Sequence, residues 1–248
     1  MKAEAKTIWL DTTDSTQEEV RRHIDEYDNL TVVAALYQTA GKGQRGNKWS
    51  SCRGENLTFS VLLRPGKNGI REIPAKEQFY ISIVSALAVK ELLDGYGLRP
   101  NIKWPNDIYI GNRKICGMLI ENVLTAGGMV ESSIIGIGLN VNQTEFPPQL
   151  MNPVSMTKLT HQNYDIKAVL EAFLEYFCSL LQEEPTVLRQ RYMDCLFRFG
   201  VKADYTDTKT GESFSGTIRG IDGEALLHVE MPDGSIKKFA FKEISYIL

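Results

Sequence analysis

The sequence predicts an α+β protein in which helices cover a mixed β-sheet and a small β-barrel follows at the C-terminus. Apolar, β-branched runs at 30–37 and 132–141 are typical of buried strands. The stretch at 74–95 is apolar on nearly all sides, which indicates a buried helix lying on the sheet. After residue 199, short alternating runs are separated by TGE, IDGE and PDGS turns, a pattern typical of a small barrel.

Length and composition are compatible with this division. The 248 residues suffice for a domain of about 200 residues and a small module, and we place the boundary between 1–198 and 199–248. A net charge of −3 argues against a general nucleic-acid-binding protein. The four cysteines lack CxxC pairing, and the three histidines lack metal-ligand spacing. Without a signal peptide or an 18-residue apolar run, we expect a cytoplasmic protein that does not enter the membrane.

The first elements alternate strand and helix. Lys6–Leu10 is predicted to be a short strand, and a helix of about three turns is predicted after Ser15, because Ser15 and Glu18 fit a capping box. The buried strand at 30–37 leads into the segment QTAGKGQRGNKW at 38–49, which we call the glycine loop. A further strand is predicted at 56–64.

The next elements follow the long helix at 74–95. Two strand-like runs, IKWPNDIYI and RKICGMLIEN, are joined by Gly111 and Asn112, which predicts a hairpin that brings Lys114 near Asp107. In the strand at 132–141, the sequence GIG places glycines where a side chain would block a close approach. Helical patterns then occupy two segments, at 165–183 and 185–197.

The glycine loop is basic, glycine-spaced and free of acidic residues, which favours a segment that folds around an anion. A solvated surface loop is the alternative. Its GKGQRG matches GxGxxG literally, but a strand follows where a dinucleotide-binding fingerprint requires a helix. No GxxxxGK[ST] occurs, so a P-loop is excluded as well.

Taken in order, the motifs resemble those of the biotin–protein ligase family in its bacterial single-function form. The matching segments are DST before the first helix, YQTAGKGQRGNKWSS, GENLTFSVLL, IKWPNDIYI, RKICGMLIEN and GIGLNVN, over roughly residues 8–142. The C-terminal barrel is similar too. The resemblance implies a class II synthetase-like biotin/lipoate ligase fold for a catalytic, biotin- and ATP-binding domain at 1–198, and an SH3-like barrel at 199–248.

The resemblance also implies a two-step reaction of a biotin–[biotin carboxyl-carrier protein] ligase. Biotin and ATP, with Mg²⁺, would give biotinyl-5′-AMP, and the biotinyl group would pass to a lysine of the carrier protein or domain of a biotin-dependent carboxylase. Two alternatives stay open. One is a lipoate- or octanoate-type acyl ligase or transferase of the same fold, and the other is a non-catalytic biotin sensor.

By the same resemblance, Lys114 would lie between the biotin carboxylate and the α-phosphate, Arg45 would assist at the phosphates, and Asp107 would orient or deprotonate the acceptor lysine. The implied biotin contacts are Ser15, Thr16, Gln17, Gln38, Gly41, Lys42, Gly43, Gln44, Lys114 and Gly117. The implied ATP and adenylate contacts are Lys42, Arg45, Lys48, Trp49, Lys103, Asn106 and Asn140, with Trp49 stacking on adenine and Asn140 touching nucleotide or metal.

The chain departs from the family pattern at Lys42 and Gln44, where many members carry arginine. Lysine keeps the charge and glutamine removes it, so we expect faster leakage of biotinyl-AMP than from an arginine-bearing relative. The matching motifs begin by residue 11, which leaves no room for the winged helix-turn-helix of the other family form, and we therefore expect no DNA binding. The oligomeric state, including a homodimer, is left open.

Overall fold

The computed structural model describes residues 5–248, with the side chain of Arg45 outside that description. Its larger part is a seven-stranded sheet in the order β1-β2-β3-β7-β6-β5-β4. The strands are β1 Lys6–Leu10, β2 Thr31–Ala35, β3 Leu57–Leu63, β4 Asn101–Lys103, β5 Asp107–Ile110, β6 Arg113–Leu124 and β7 Val130–Leu139. β1 and β2 pair in parallel and the other neighbours pair antiparallel, which confirms the predicted mixed sheet.

Helices cover the sheet, as the apolar pattern predicts. They are α1 Thr16–Arg22, α2 Phe79–Gly95, α3 Met156–Thr160, α4 Ile166–Leu180 and α5 Pro185–Asp194. Most of α2 is buried, and α4 packs on the sheet through Phe173, whose ring meets that of Phe59 edge-on at 5.0 Å. Within residues 5–248, no helix combines the length and the apolar character that a membrane crossing requires.

The capping box predicted at Ser15 is wrong. α1 has seven residues, about two turns, and the Ser15 side chain makes no capping hydrogen bond. Glu18 does not reach back to the cap, because its carboxylate pairs instead with the cations of Arg21 and Lys42. The Ser15 N–H, which a capping box would leave for Glu18, donates instead to the carboxylate of Asp14 at 2.7 Å.

The run IKWPNDIYI, predicted as one strand, forms two. β4 and β5 pair with each other, and residues 104–106 make the turn between them. Pro105 lacks the N–H that a central strand needs, so the chain turns there. The carbonyl of Pro105 accepts a hydrogen bond from the Tyr192 hydroxyl at 2.8 Å. The predicted hairpin at Gly111, whose φ is +57°, joins β5 to β6.

The C-terminal part is a five-stranded antiparallel sheet in the order β11-β10-β9-β8-β12. Its strands are β8 Lys202–Asp207, β9 Ser213–Ile221, β10 Leu227–Glu230, β11 Ile236–Phe239 and β12 Ile244–Tyr246. It meets the larger sheet at the 104–106 turn, where the Trp104 indole N–H donates to the carbonyl of Ala225 at 3.1 Å. The ring of Phe197 lies between those of Tyr109 and Tyr246, at 5.5 and 6.0 Å.

Candidate active site

A cavity of about 380 Å³ lies where the two sheets meet. Its walls come from the start of α1, the glycine loop, the middle of β6 and β7, the turn after β4, and residues 241–246. Most residues predicted from the sequence line it together. They are Ser15, Thr16, Gln17, Gln38, Lys42, Gly43, Gln44, Lys48, Trp49, Lys103, Asp107, Lys114 and Gly117.

One end of the cavity is lined by polar side chains that carry no charge. The backbone N–H of Thr16 donates to Oε1 of Gln38 at 2.8 Å, and the Thr16 hydroxyl shares a hydrogen bond with that of Ser60, also at 2.8 Å. Beside them, Nε2 of Gln17 donates to Glu121 at 2.6 Å. Buried amides and hydroxyls fixed in this way can offer both donors and acceptors to a neutral ligand group.

The glycine loop closes on itself and on its surroundings. The Gly43 N–H donates to the Asn47 carbonyl at 2.7 Å, and the Trp49 N–H donates to the Gly41 carbonyl at 2.9 Å. Nε2 of Gln44 donates to the carbonyl of Met118 on β6 at 2.9 Å. The loop is therefore attached to the larger sheet by a neutral hydrogen bond.

A second attachment of the glycine loop is ionic. The ammonium of Lys42 pairs with the carboxylate of Glu18 on α1, and the hydrogen bond from Lys42 lowers the pKa of Glu18. Arg21 pairs with the same carboxylate and also with Glu121, the partner of Gln17. A chain of alternating charges thus runs from the glycine loop to the buried amide in the cavity wall.

The opposite wall is charged. Nζ of Lys114 lies 2.8 Å from a carboxylate oxygen of Asp107, as the hairpin register predicts. Nζ of Lys103 lies 4.7 and 4.9 Å from the ring centroids of Tyr109 and Tyr246. Burial lowers the pKa of Lys103, Asp107 partly offsets this effect, and the charge of Lys114 adds to it. Two lysine side chains and one carboxylate therefore line this part of the cavity.

The indole of Trp49 lies on the floor of the cavity. A Cβ placed on Gly138 would come within 2.2 Å of the Trp49 ring, and one on Gly117 within 3.1 Å of that ring and 3.0 Å of Nζ of Lys114. The Trp49 indole nitrogen is buried, and none of the residues that the structure describes provides a hydrogen-bond partner for it. The ring therefore depends on the glycine floor for its position.

Three predicted contacts do not line the cavity. Gly41 supports the loop from behind, because a Cβ there would lie 2.5 Å from the Trp49 carbonyl. Asn106 faces a second cleft of about 480 Å³, since the turn that separates β4 from β5 carries it away. The Asn140 amide donates to the carbonyl of Val154 at 3.0 Å and so holds the chain after β7. The side chain of Arg45 lies outside the described residues, so its predicted role stays a prediction.

Some residues of the site were not predicted. Ser60 is, with Thr58, one of two hydroxyl residues in a buried strand whose other residues are apolar, a signal that the sequence contains. Phe241, Lys242 and Tyr246 reach the cavity from the C-terminal sheet, and no local pattern marks them. No group of three or more His, Cys, Asp and Glu side chains that could hold a metal ion occurs in the part of the chain that the structure describes.

Comparisons with known proteins agree with this geometry. The model of the biotin/lipoate A/B protein ligase family matches residues 9–140. The bifunctional ligase/repressor BirA of Escherichia coli is 30% identical over 244 residues, which cover 95% of this chain and 72% of that protein. The BirA of Bacillus subtilis is also 30% identical, and there the chain spans only 65% of the relative's length.

A relative of similar length is the biotin–[acetyl-CoA-carboxylase] ligase of Paracoccus denitrificans, which is 29% identical over 91% of this chain and 94% of that protein. Among solved structures, the biotin protein ligase of Aquifex aeolicus in complex with biotin and ATP superimposes with a TM-score of 0.76. It is 27% identical and covers 97% of both chains.

Proposed function

Because the chain belongs to the biotin/lipoate A/B protein ligase family, we propose that it is an ATP-dependent biotin–protein ligase. It activates biotin as biotinyl-5′-AMP and transfers the biotinyl group to a lysine of the carrier protein or domain of a biotin-dependent carboxylase. The observation that carries the proposal is the two-ended cavity. Fixed amides and hydroxyls at one end suit the neutral ureido ring of biotin, and the Lys114–Asp107 pair at the other suits a carboxylate that meets a phosphate.

The first step brings two anions into contact, since the biotin carboxylate attacks the α-phosphate of ATP and pyrophosphate leaves. Repulsion between them is reduced only by cations fixed in place beforehand. Lys114, Lys42 and Lys48 all line the cavity. In this proposal Lys114 would lie between the two anions, and Lys42 and Lys48 would meet the phosphates. A binding protein without chemistry would not need this set of cations beside a neutral pocket.

The second step needs an unprotonated acceptor lysine, whose free pKa of about 10.4 keeps it charged at neutral pH. Asp107 is the carboxylate at the cavity wall, and it orients the incoming ammonium and takes up its proton. The amine then attacks the biotinyl carbonyl, and AMP leaves with the electron pair of the broken anhydride bond. Lys114 stabilises the charge on the departing phosphate.

Mg²⁺ would neutralise charge on the phosphates of ATP. Within residues 5–248 there is no acidic cluster to hold a resident ion, which suits a metal that enters on the nucleotide and keeps most of its water ligands. The free thiols of all four cysteines suit a reducing compartment, and we place the reaction in the cytoplasm.

The proposal is tested by incubating the protein with biotin, Mg-ATP and a carrier domain and measuring the intact mass of the carrier. We expect one biotinyl group on one lysine, and a loss of at least about 100-fold in rate for Lys114→Ala. Lys90→Ala is the matched control, because Lys90 pairs with Asp94 on α2, which does not line the cavity. No mass gain, or a Lys114→Ala variant as active as wild type, would contradict the proposal.

Thermal unfolding separates the alternative substrate. Biotin should raise the midpoint of unfolding, whereas lipoate and octanoate should leave it unchanged. A shift with lipoate and none with biotin would favour the lipoate- or octanoate-type ligase.

A further inference from the structure

Two glycines on β7, Gly136 and Gly138, are not explained by their backbone conformation. Neither has the positive φ that favours glycine. Within a strand, glycine loses more conformational entropy on folding than other residues and packs nothing. Residues i and i+2 of a strand point to the same face, so both glycines face the cavity that they line. At each position, a neighbouring side chain occupies the space that a Cβ atom would take.

The neighbour of Gly136 is Gln17. A Cβ on Gly136 would lie 2.1 Å from Oε1 of Gln17. That amide is held from its other end by Glu121 and is buried, so it keeps its place only while residue 136 has no side chain. Across the sheet, Gly136 pairs with Ser60, whose hydroxyl bonds that of Thr16. This row of residues supports the neutral end of the cavity.

The neighbour of Gly138 is Trp49. A Cβ on Gly138 would lie 2.2 Å from Cε2 and 2.5 Å from Nε1 of the indole. Gly138 pairs across the sheet with Gly117, which touches the same ring and the ammonium of Lys114. This second row supports the charged end. The two rows are about 7 Å apart along β7.

We propose that Gly136 and Gly138 are separate positioning residues, one for each substrate. Gly136 admits the Gln17 amide that faces biotin, and Gly138 admits the Trp49 indole that faces the adenine of ATP. One strand thereby sets the two substrate positions independently. The inference rests on the proposed function for the identity of the two ligands.

The test compares Gly136→Ala with Gly138→Ala, each variant serving as the control for the other. The Kd of biotin is measured by calorimetry without nucleotide, and the KM of ATP at saturating biotin. Gly136→Ala should raise the Kd of biotin about tenfold and change the KM of ATP by no more than about twofold. Gly138→Ala should raise the KM of ATP about tenfold and change the Kd of biotin by no more than about twofold. A general packing defect would move both constants together, so equal effects on both substrates would overturn the inference.

A double-mutant cycle shows whether each glycine acts through its neighbour. In a Trp49→Ala background, Gly138→Ala should have no further effect on the KM of ATP, and in a Gln17→Ala background, Gly136→Ala should have none on the Kd of biotin. Additive losses would overturn the inference. If Gly136→Ala does not fold, Gln17→Ala replaces it in the test. This variant should raise the Kd of biotin and leave the KM of ATP unchanged.

A ligand-free measurement separates this inference from the proposed function. Gly138→Ala should change the tryptophan fluorescence because it displaces the Trp49 ring, and Gly136→Ala should not. If the wild-type protein binds neither biotin nor ATP, the proposed function is contradicted, whatever the fluorescence shows. If Gly138→Ala binds both ligands and its fluorescence is unchanged, the inference about the glycines is contradicted and the proposed function is not.

Discussion

Gln44 joins the glycine loop to β6 by a neutral hydrogen bond to the Met118 carbonyl. An arginine there would keep a donor and add a charge for the adenylate phosphate. A charge-assisted hydrogen bond contributes about 1.5–3 kcal/mol, so we expect Gln44→Arg to slow the release of biotinyl-AMP about tenfold or more. Release is measured from purified protein loaded with biotin and ATP. Gln162→Arg, which adds the same charge at an exposed site, is the control, and equal release from wild type and Gln44→Arg would contradict the expectation.

Lys103 makes stability depend on pH. Because burial lowers its pKa below the ordinary 10.5, the unfolded chain holds a proton in that window that the folded chain has lost. The contribution of Lys103 to the free energy of unfolding therefore rises with pH through the window and is unfavourable below it. Wild type should gain stability relative to Lys103→Met in urea unfolding as the pH rises towards the ordinary lysine pKa of 10.5. A constant difference would contradict this, and Lys202→Met reports the effect of removing an exposed lysine.

At the residue scale, the sequence is informative where one local pattern fixes two side chains. The Gly111 turn pairs Lys114 with Tyr109. Asp107 lies two residues before Tyr109 on the same face of β5, within reach of the Lys114 ammonium. It is uninformative where a long side chain chooses among several partners. Glu18 is a predicted capping residue, yet two cations from different elements take its carboxylate.

At the scale of elements, the pair between Lys42 and Glu18 anchors the glycine loop to α1. We predict that Glu18→Gln releases the loop and raises the rate of trypsin cleavage within it about two- to fivefold, since an exposed pair contributes up to about 1 kcal/mol. Biotin and Mg-ATP should restore protection by supplying the missing counter-charge.

Glu26→Gln, an exposed acid beyond the end of α1, is the control for general destabilisation. Cleavage that neither Glu18→Gln nor the ligands change would show that the glycine loop is held by other contacts.

Periodicity predicts most elements of the larger sheet and its helices because burial imposes it directly. It fails in the run IKWPNDIYI, where apolar residues flank a proline and one strand becomes two. The hydrogen bond from Tyr192 to the Pro105 carbonyl connects that turn to α5. Such a long-range bond leaves no trace in the local pattern.

At the scale of the whole molecule, the bond from Trp104 to Ala225 joins the two sheets beside the cavity. Trp104→Phe keeps an aromatic ring but leaves the carbonyl unpaired. We expect the free energy of unfolding to fall by about 1 kcal/mol and the KM of ATP to rise, because residues 241–246 line the cavity.

Trp9→Phe on β1 makes the same chemical change outside the cavity lining and should leave the KM of ATP unchanged. Urea unfolding and steady-state kinetics check both variants. An unaltered KM in Trp104→Phe would show that the C-terminal sheet contributes to the cavity without this bond.

The contribution of the C-terminal sheet to the site is the part that the sequence did not predict. Its strand count follows from the turns, but the placement of Tyr246 near Lys103 depends on how two units pack. Packing of that kind depends on shape across the whole chain, which a pattern of neighbouring residues does not encode.

The position of β12 has a consequence for the order of folding. It comes last in chain order among the described strands, and it shares the cavity wall with Ser15 at the start of the first helix. The larger sheet can assemble while the remaining chain is still being made. The cavity is complete only after β12 has been added, so a ligand meets the whole cavity wall only once both sheets have folded.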